Sequence, residues 1–284
     1  MYNHIEGNGP LVVIPPQFEK TVRTNMTAML YLVNNGFNVF RYDNRYHNGN
    51  STGSIEKYTM PNALQDLCDV MKFIRGDSAI KTDEGITVMG TSIASRIVFR
   101  YLSNKGEGID VFVALVGVVN MRYTLNNILG FDLVGEYLNN SEACWGMHKV
   151  LKCAVDLDNF ITSLVSTNMH SLESTQEDID RIATPVYLIV AEHDRWIDIN
   201  DYRKVFGNNR EIMKKMYKLP GADHELYKNP QAAEHALCQI VNILRSHWNM
   251  PCDRPVLKPK IAKIIELNRR EREREFKFRA LDMT

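Results

Sequence analysis

The nine residues Ile86–Ala94, with the sequence ITVMGTSIA, decide the fold. Ile86–Met89 is a short apolar run that predicts a buried strand, and a helical pattern begins at Ser92. Strand and helix backbones approach closely at such a turn, so the residues two before and two after the serine must be small. Gly90 and Ala94 meet this need. The stretch predicts a strand, a sharp turn and a helix, with Ser92 as a candidate nucleophile or, alternatively, only a helix cap.

Strands and helices alternate on both sides of this turn. Apolar runs predict strands at Leu11–Ile14, Phe37–Tyr42, Ile86–Met89, Val111–Val116, Pro185–Val190 and Met216–Leu219. Apolar residues at helical spacing predict helices over 22–35, 62–75, 92–102, 199–206 and 230–247. This alternation is typical of the α/β class, in which a mostly parallel sheet carries helices on both faces.

The alternation lapses in the middle of the chain. Between Asn120 and Arg181, apolar residues recur at helical spacing, at Leu125, Ile128, Leu129, Leu133 and later at Val150, Leu151 and Val155. We interpret residues 120–182 as a helical lid insertion within one domain that covers residues 1–284.

Charge and cysteine content exclude several classes of partner and cofactor. The chain has 34 basic and 34 acidic residues, so no net field attracts nucleic acid or an anionic membrane. Its five cysteines form no CxxC pair and have no histidine at a metal spacing, so we expect reduced thiols, no metal and no other cofactor. No apolar run approaches the roughly 20 residues that span a bilayer, and the N-terminus lacks a signal-peptide pattern. We expect a cytoplasmic location.

A candidate acid and a candidate base follow two later strands. Asp194 comes after the strand Pro185–Val190, at the edge where open parallel sheets hold their sites, although Glu192 and Asp198 are near enough to compete. His224 lies in a glycine-containing loop after the next strand, and His193 is its weaker rival.

The order Ser92, Asp194, His224 is that of the α/β-hydrolase fold. In this arrangement His224 takes the proton of Ser92, and Asp194 orients the imidazole while Ser92 attacks an acyl carbon. The oxyanion that forms needs preorganised donors. The turn geometry offers the Ile93 N–H, and the loop after the first strand offers the Phe18 N–H.

A polar segment, Asp43–Ser51, follows the second strand. Its sequence resembles the D-x-R-x-x-G-x-S stretch that α/β-hydrolases have at that place. We interpret it as a structural turn, with substrate contact by Arg45 or His47 as the alternative.

Four further blocks carry a resemblance to a known family. They are GFNVFRYD at 36–43, STGSI at 51–55, VGVVN at 116–120 and LGFD at 129–132. With the candidate triad, they resemble the acyl transferase of bacterial luminescence operons, which hydrolyses fatty acyl carrier protein. The resemblance runs from about Leu11 to the arginine-rich tail near Asn268. It implies the same three catalytic residues, and release of myristoyl-type chains as free acid or transfer to an acceptor that feeds a fatty acid reductase.

The expected function is that of a serine acyl hydrolase or acyl transferase that acts on a carrier-protein or CoA thioester. Apolar lid residues are expected to line its acyl pocket, although ordinary lid packing explains each equally well: Met121, Leu125, Leu129, Phe131 and Trp145. A carboxylesterase or a carbon–carbon bond hydrolase or lyase for polyketide-like substrates is the enzymatic alternative. A non-catalytic ligand receptor or scaffold is the alternative from another class.

The tail from Lys258 to Phe278 is densely charged and predicts a docked amphipathic helix with a solvated end. Its arginines could dock an acidic carrier protein or a reductase: Arg269, Arg270, Arg272 and Arg274. A solvated helix end explains the same residues, and we favour it.

Overall fold

The computed structural model describes residues 2–5 and 7–281, with side chains up to residue 273. Nine strands lie in this part of the chain: β1 (Tyr2–Ile5), β2 (Leu11–Ile14), β3 (Asn38–Tyr42), β4 (Ile86–Thr91), β5 (Val111–Leu115), β6 (Met147–Val150), β7 (Cys153–Asp156), β8 (Val186–Ala191) and β9 (Met213–Leu219). Seven of them form one sheet in the order β1-β3-β2-β4-β5-β8-β9. Every pairing in that order is parallel except that of β1 with β3.

The helices of the described residues connect these strands: α1 (Met26–Asn34), α2 (Met60–Gly76), α3 (Ile93–Ser103), α4 (Met121–Leu129), α5 (Leu133–Asn139), α6 (Leu157–Ser166), α7 (Leu172–Ile179), α8 (Ile199–Val205), α9 (Pro230–His247) and α10 (Ile261–Leu281). Alternate residues of each central strand face opposite sides of the sheet and join two separate apolar clusters. One cluster includes α2 and α3, and the other includes α1 and α9. The predicted sheet with helices on both faces is confirmed.

The strand β1 was not predicted from the sequence. Tyr2 pairs with Tyr42 and Ile5 with Val39 at the edge of the sheet. The strand is short, half exposed and carries polar residues, as edge strands commonly do. It therefore lacks the continuous apolar run that marks the central strands.

The lid insertion, residues 120–182, contains a β-hairpin as well as helices. The helical interpretation of Val150, Leu151 and Val155 is wrong, because β6 and β7 pair here and Leu151 begins the turn between them with φ +54°. Val150 and Val155 lie on opposite sides of this two-residue turn, with Val150 opposite Cys153 and Val155 opposite His148. Spacing alone does not distinguish a short helix from a short hairpin.

A buried ionic cluster anchors the end of the insertion to α3, the helix after Ser92. Asp178 in α7 accepts hydrogen bonds from Arg96 at 2.6 Å and from Arg100 and Ser103 at 2.8 Å each. Arg96 and Asp178 have no exposed side-chain surface. Burial alone would raise the pKa of Asp178, but the neighbouring arginines and Ser103 lower it below its usual value. Asp178 is therefore held as a carboxylate.

The helix α10 packs against α1 and the Val22–Asn25 turn. Its docked face includes Ile264 and Leu267, whereas Ile261 and Ile265 are exposed. A second contact to the body is the ion pair between Glu271 and the buried Arg41, at 3.3 Å. The predicted role of Arg274 lies outside the described side chains. No helix in residues 2–5 and 7–281 is both long and apolar enough to cross a bilayer.

Candidate active site

Ser92 lies on the sharp turn between β4 and α3. Its backbone has φ 56° and ψ −127°, a strained conformation for a residue other than glycine. The turn is held from both sides, because the Ser92 N–H donates to the Leu115 carbonyl and the Val118 N–H donates to the Ser92 carbonyl, each at 3.0 Å. A Cβ on Gly90 would lie 3.0 Å from the Phe112 ring and 3.2 Å from the Ser95 Cα. The need for a small residue two positions before the serine is thus a packing requirement.

His224 and Asp194 meet Ser92 at the carboxyl edge of the sheet. The Ser92 Oγ lies 2.8 Å from His224 Nε2, and His224 Nδ1 lies 2.8 Å from Asp194 Oδ2. A carboxylate only accepts hydrogen bonds, so the imidazole proton is on Nδ1 and Nε2 is free to accept from the serine hydroxyl. The other Asp194 oxygen accepts from the amides of Trp196 at 2.9 Å and Ile197 at 3.2 Å. This series of hydrogen bonds allows a proton to move from Ser92 to His224.

The rival residues lie elsewhere. Glu192 pairs with Lys218 at 2.7 Å, and Asp198 caps α8 by accepting from the Asn200 amide at 2.8 Å. The side chain of His193 is 65% exposed, with its Nε2 at 3.8 Å from Glu192. The structure brings Ser92, Asp194 and His224 together, and the three rival residues have other partners.

The two candidate oxyanion donors flank the same pocket as Ser92. Ile93 is the first residue of α3, where backbone amides have no partner within the helix. Phe18 lies in a tight turn in which the Lys20 N–H donates to the Gln17 carbonyl at 3.0 Å, and Glu19 has φ +59°. Phe18 and Ile93 both line the pocket. Their roles as donors stay predictions.

An apolar pocket opens beside Ser92, and we call it the acyl pocket. Of the predicted lining residues, Met121 and Leu125 are part of its wall, and Ile128 continues the same face of α4. Other elements contribute apolar residues that were not predicted to line an acyl pocket: Phe18, Val118, Val150, Leu151, Val155, Leu157, Phe160 and Trp196. The unfilled volume is about 50 Å³, room for no more than a few water molecules.

Three predicted lining residues are not part of this wall. Leu129 follows Ile128 and so points about 100° away around the helix. The Phe131 ring packs 5.8 Å from that of His148. The Trp145 indole N–H donates to Glu136 at 3.2 Å. Phe131 and Trp145 thus have partners within the insertion, and none of the three lines the pocket.

The segment Asp43–Ser51 ties loops together around the Phe18 turn. Asp43 accepts from the Val22 amide at 2.8 Å and from the Asn50 amide at 3.2 Å. Arg45 pairs with Asp66 and Asp69. These contacts fit the structural interpretation of the segment.

His47 in this segment is buried beside two aromatic rings. It is 4% exposed, with ring centroids 6.1 Å from Phe18 and 5.3 Å from Tyr58. Burial lowers the pKa of His47 to about 4. It is therefore neutral near pH 7, and it does not line the acyl pocket.

Comparison with known proteins places the chain in a family. The family model described as acyl transferase matches residues 5–239, most of the chain. The chain belongs to the acyl transferase family. The resemblance inferred from the short sequence blocks is thereby confirmed.

Acyl transferases of two bacteria illustrate how similar members of the family are to this chain. That of Vibrio campbellii is 28% identical over 201 residues, and that of Photorhabdus laumondii is 30% identical over 203 residues. Each alignment covers 70% of this chain and 62% of the relative. The chain thus matches less than two thirds of the length of these acyl transferases.

Solved structures show the same fold. The monoacylglycerol lipase of Paleococcus ferrophilus superposes with a TM-score of 0.62 at 20% identity, over 87% of this chain and 99% of that one. Est1E of Butyrivibrio proteoclasticus, solved with ferulic acid, gives a TM-score of 0.65 at 15% identity, over 84% and 93%. This member of the acyl transferase family has the α/β-hydrolase fold.

Proposed function

We propose that this protein is a serine acyl hydrolase or acyl transferase that takes a fatty-acyl-type chain from a carrier-protein or CoA thioester. The observation that carries the proposal is the hydrogen-bonded chain from Ser92 through His224 to Asp194, with links of 2.8 Å each. It lies beside the acyl pocket, whose wall is almost wholly apolar. Membership of the acyl transferase family supports the reaction class.

In the first half-reaction His224 Nε2 takes the Ser92 proton while the serine oxygen attacks the thioester carbon. Asp194, held by two backbone amides, stabilises the imidazolium that forms. The negative charge on the carbonyl oxygen is stabilised by the amides of Ile93 and Phe18. The C–S bond then breaks, and the imidazolium protonates the departing thiolate. The acyl chain is left as an ester on Ser92.

In the second half-reaction His224 acts again as a base. It takes a proton from water, or from the hydroxyl or thiol of an acceptor, and that nucleophile attacks the ester carbon. The Ser92 oxygen leaves and recovers its proton from His224. Water gives a free fatty acid, whereas an acceptor gives the transferred acyl group. Delivery of this product to a fatty acid reductase remains a prediction from the family resemblance.

The test is intact-protein mass spectrometry after mixing the protein with acyl thioesters of increasing chain length. The wild type is expected to gain the mass of the acyl group, and Ser92→Ala is expected to gain none. Ser95→Ala is the matched control, because Ser95 lies in the first turn of α3, the helix that follows Ser92. Its hydroxyl donates to the Gly90 carbonyl at 3.0 Å and not to His224. An adduct on Ser92→Ala, or the absence of adduct and turnover with every thioester, would contradict the proposal.

The small free volume of the acyl pocket favours a second candidate, a carboxylesterase for short acyl groups. About 50 Å³ does not hold a long chain unless lid side chains move. Short p-nitrophenyl esters tested beside the thioesters separate the two functions. Turnover of short esters with no turnover of any thioester would favour the carboxylesterase.

A further inference from the structure

A second concave surface lies beside the Gln17–Lys20 turn. It has a volume of about 720 Å³ and lies between α10 and the start of α1. Four cationic side chains line it, and we call it the basic groove: Lys20, Arg23, Arg269 and Arg272. The other described residues that line the groove are uncharged, and none of them has a carboxylate.

We propose that the basic groove binds the phosphate group of a phosphopantetheine thioester, the acyl donor of the proposed function on which this inference rests. Arginine and lysine side chains are the usual ligands of phosphate in proteins, and arginine can donate two parallel hydrogen bonds to it. The chain has no net charge, with 34 basic and 34 acidic residues. Four cations at one concave site are therefore a local feature and do not follow from the overall composition.

The helix α10 forms one wall of the groove, and contacts on its opposite face hold it in place. Ile265, Arg269 and Arg272 share one face of α10, because residues three or four positions apart lie above one another on a helix. Glu271 lies on the docked face and pairs with the buried Arg41 at 3.3 Å. Arg41 also donates to Asn3 at 2.8 Å. The two groove arginines are thus carried by a helix that is fixed to the sheet.

Nearby carboxylates leave part of the positive charge available. Lys20 lies 3.0 Å from Glu19, with side chains that are 22% and 9% exposed, so this carboxylate neutralises part of the lysine charge. Arg269 lies 3.8 Å from Glu273, and these two side chains are 73% and 64% exposed. Exposed pairs of this kind are weak and exchange partners readily. A phosphate that carries up to two negative charges can compete with them.

Two loops bring the groove close to the acyl pocket. Phe18 lines the acyl pocket, while its neighbours Gln17 and Lys20 line the basic groove. Tyr227, three residues after His224, also lines the groove, and the Lys20 ammonium lies 5.3 Å from its ring. In a phosphopantetheine thioester the pantetheine arm separates the acyl carbon from the phosphate. Such a donor needs an apolar site and a cationic site close to each other, which is the arrangement seen here.

The experiment compares donors with and without the phosphate of the pantetheine arm. We would measure kcat/KM for an acyl-CoA, the same acyl group on phosphopantetheine and the same group on pantetheine, which lacks the phosphate. In Arg269→Glu/Arg272→Glu, the ratio of kcat/KM for the phosphorylated donors to that for acyl-pantetheine is expected to fall about tenfold, mainly through KM. Added salt should lower the same ratio in the wild type.

Matched controls come from the same helix. Lys263→Glu and Arg270→Glu change the charge by the same amount per residue outside the groove, and Arg270 pairs with Glu266. Both should keep the wild-type ratio. An unchanged ratio in the groove variant, or an equal loss with all three donors, would overturn the proposal. An acyl carrier protein has the same phosphopantetheine phosphate, so its kcat/KM should fall as much as that of acyl-CoA. A loss seen with the carrier protein and not with acyl-CoA would mean that the groove contacts the carrier's acidic surface, and it would overturn the proposal.

Direct binding separates this inference from the proposed function. Titration calorimetry of CoA with Ser92→Ala needs no turnover, and the two groove substitutions in that background should weaken CoA binding about tenfold. If the wild type cleaves no thioester but Ser92→Ala binds CoA through the groove, the proposed substrate is wrong and the groove stands. If CoA binding is absent or is unaffected by the groove substitutions, the groove proposal is overturned.

Discussion

The edge of the sheet that carries Ser92 and the lid insertion differ in how their side chains are fixed. Ser92, Asp194 and His224 each follow a parallel strand, so the ladder of β4, β5, β8 and β9 determines where they meet. The residues of the insertion that face Ser92 come from two helices and a hairpin, and packing between these elements determines which side chains point inward. The candidate catalytic residues can therefore be located from local sequence, but the residues that line the pocket cannot.

The largest expected effect concerns the strained serine. Ser92→Ala and Ser92→Gly should both lower acyl hydrolysis by about 10³-fold or more, because the nucleophile is lost. Ser92→Gly should also be more stable than Ser92→Ala by about 1 kcal/mol, since φ 56° and ψ −127° disfavour any residue with a Cβ. Steady-state kinetics and urea denaturation measure the two effects. Full activity in either variant would show that this edge of the sheet is not the catalytic site.

The next effect tests how the insertion is attached. Asp178→Ala should lower the free energy of unfolding by about 3–5 kcal/mol, because it leaves the wholly buried Arg96 without its partner. Glu107→Ala is the control, since it breaks an exposed pair with Arg75 and should change stability by less than about 1 kcal/mol. Urea denaturation followed by circular dichroism gives both values. Equal effects would mean that the buried cluster does not anchor the insertion.

The sequence predicted the sheet, and the proximity of Ser92, Asp194 and His224, for physical reasons. Central strands must be apolar on both faces, and the turn at Ser92 needs small residues such as Gly90, so both leave local patterns. The strand β1 leaves none, because only its pairing with β3 makes it a strand.

The acyl pocket shows the limit of the same approach. Leu129 was predicted as lining and Phe160 was missed, although both are apolar residues in helices of the insertion. Helical spacing indicates that a residue is buried but does not indicate what it is buried against. The position of the hairpin, and with it that of Leu151, depends on contacts between distant segments, such as the Lys152 amide donating to Glu19 at 3.3 Å.

A third prediction concerns the buried segment that supports the Phe18 turn. Burial lowers the pKa of His47 from 6.5 to about 4, so between these values the unfolded chain binds a proton that the folded protein does not. This contribution to stability is complete above pH 6.5 and is lost as the pH falls toward 4, with a total of roughly 3 kcal/mol. Urea denaturation of His47→Gln should show a shallower decline over this pH window than the wild type does. The exposed His193→Gln should retain the wild-type decline, and an equal change in both variants would contradict the burial of His47.

The smallest effect concerns the hairpin, where two residues a few positions apart face the pocket and the solvent, respectively. Leu151 lines the acyl pocket, whereas Met147 is 53% exposed on the same hairpin. Leu151→Ala removes part of the wall of a pocket with about 50 Å³ of free volume, so longer chains should fit with less movement of the insertion. The ratio of kcat/KM for a long to a short acyl thioester should rise about fivefold, within the range that a few methyl groups contribute in an apolar pocket. Met147→Ala should leave the ratio unchanged. If Leu151→Ala also leaves it unchanged, the chain enters by another route and the hairpin does not determine chain length, which would leave α4 and α6 as the elements that do.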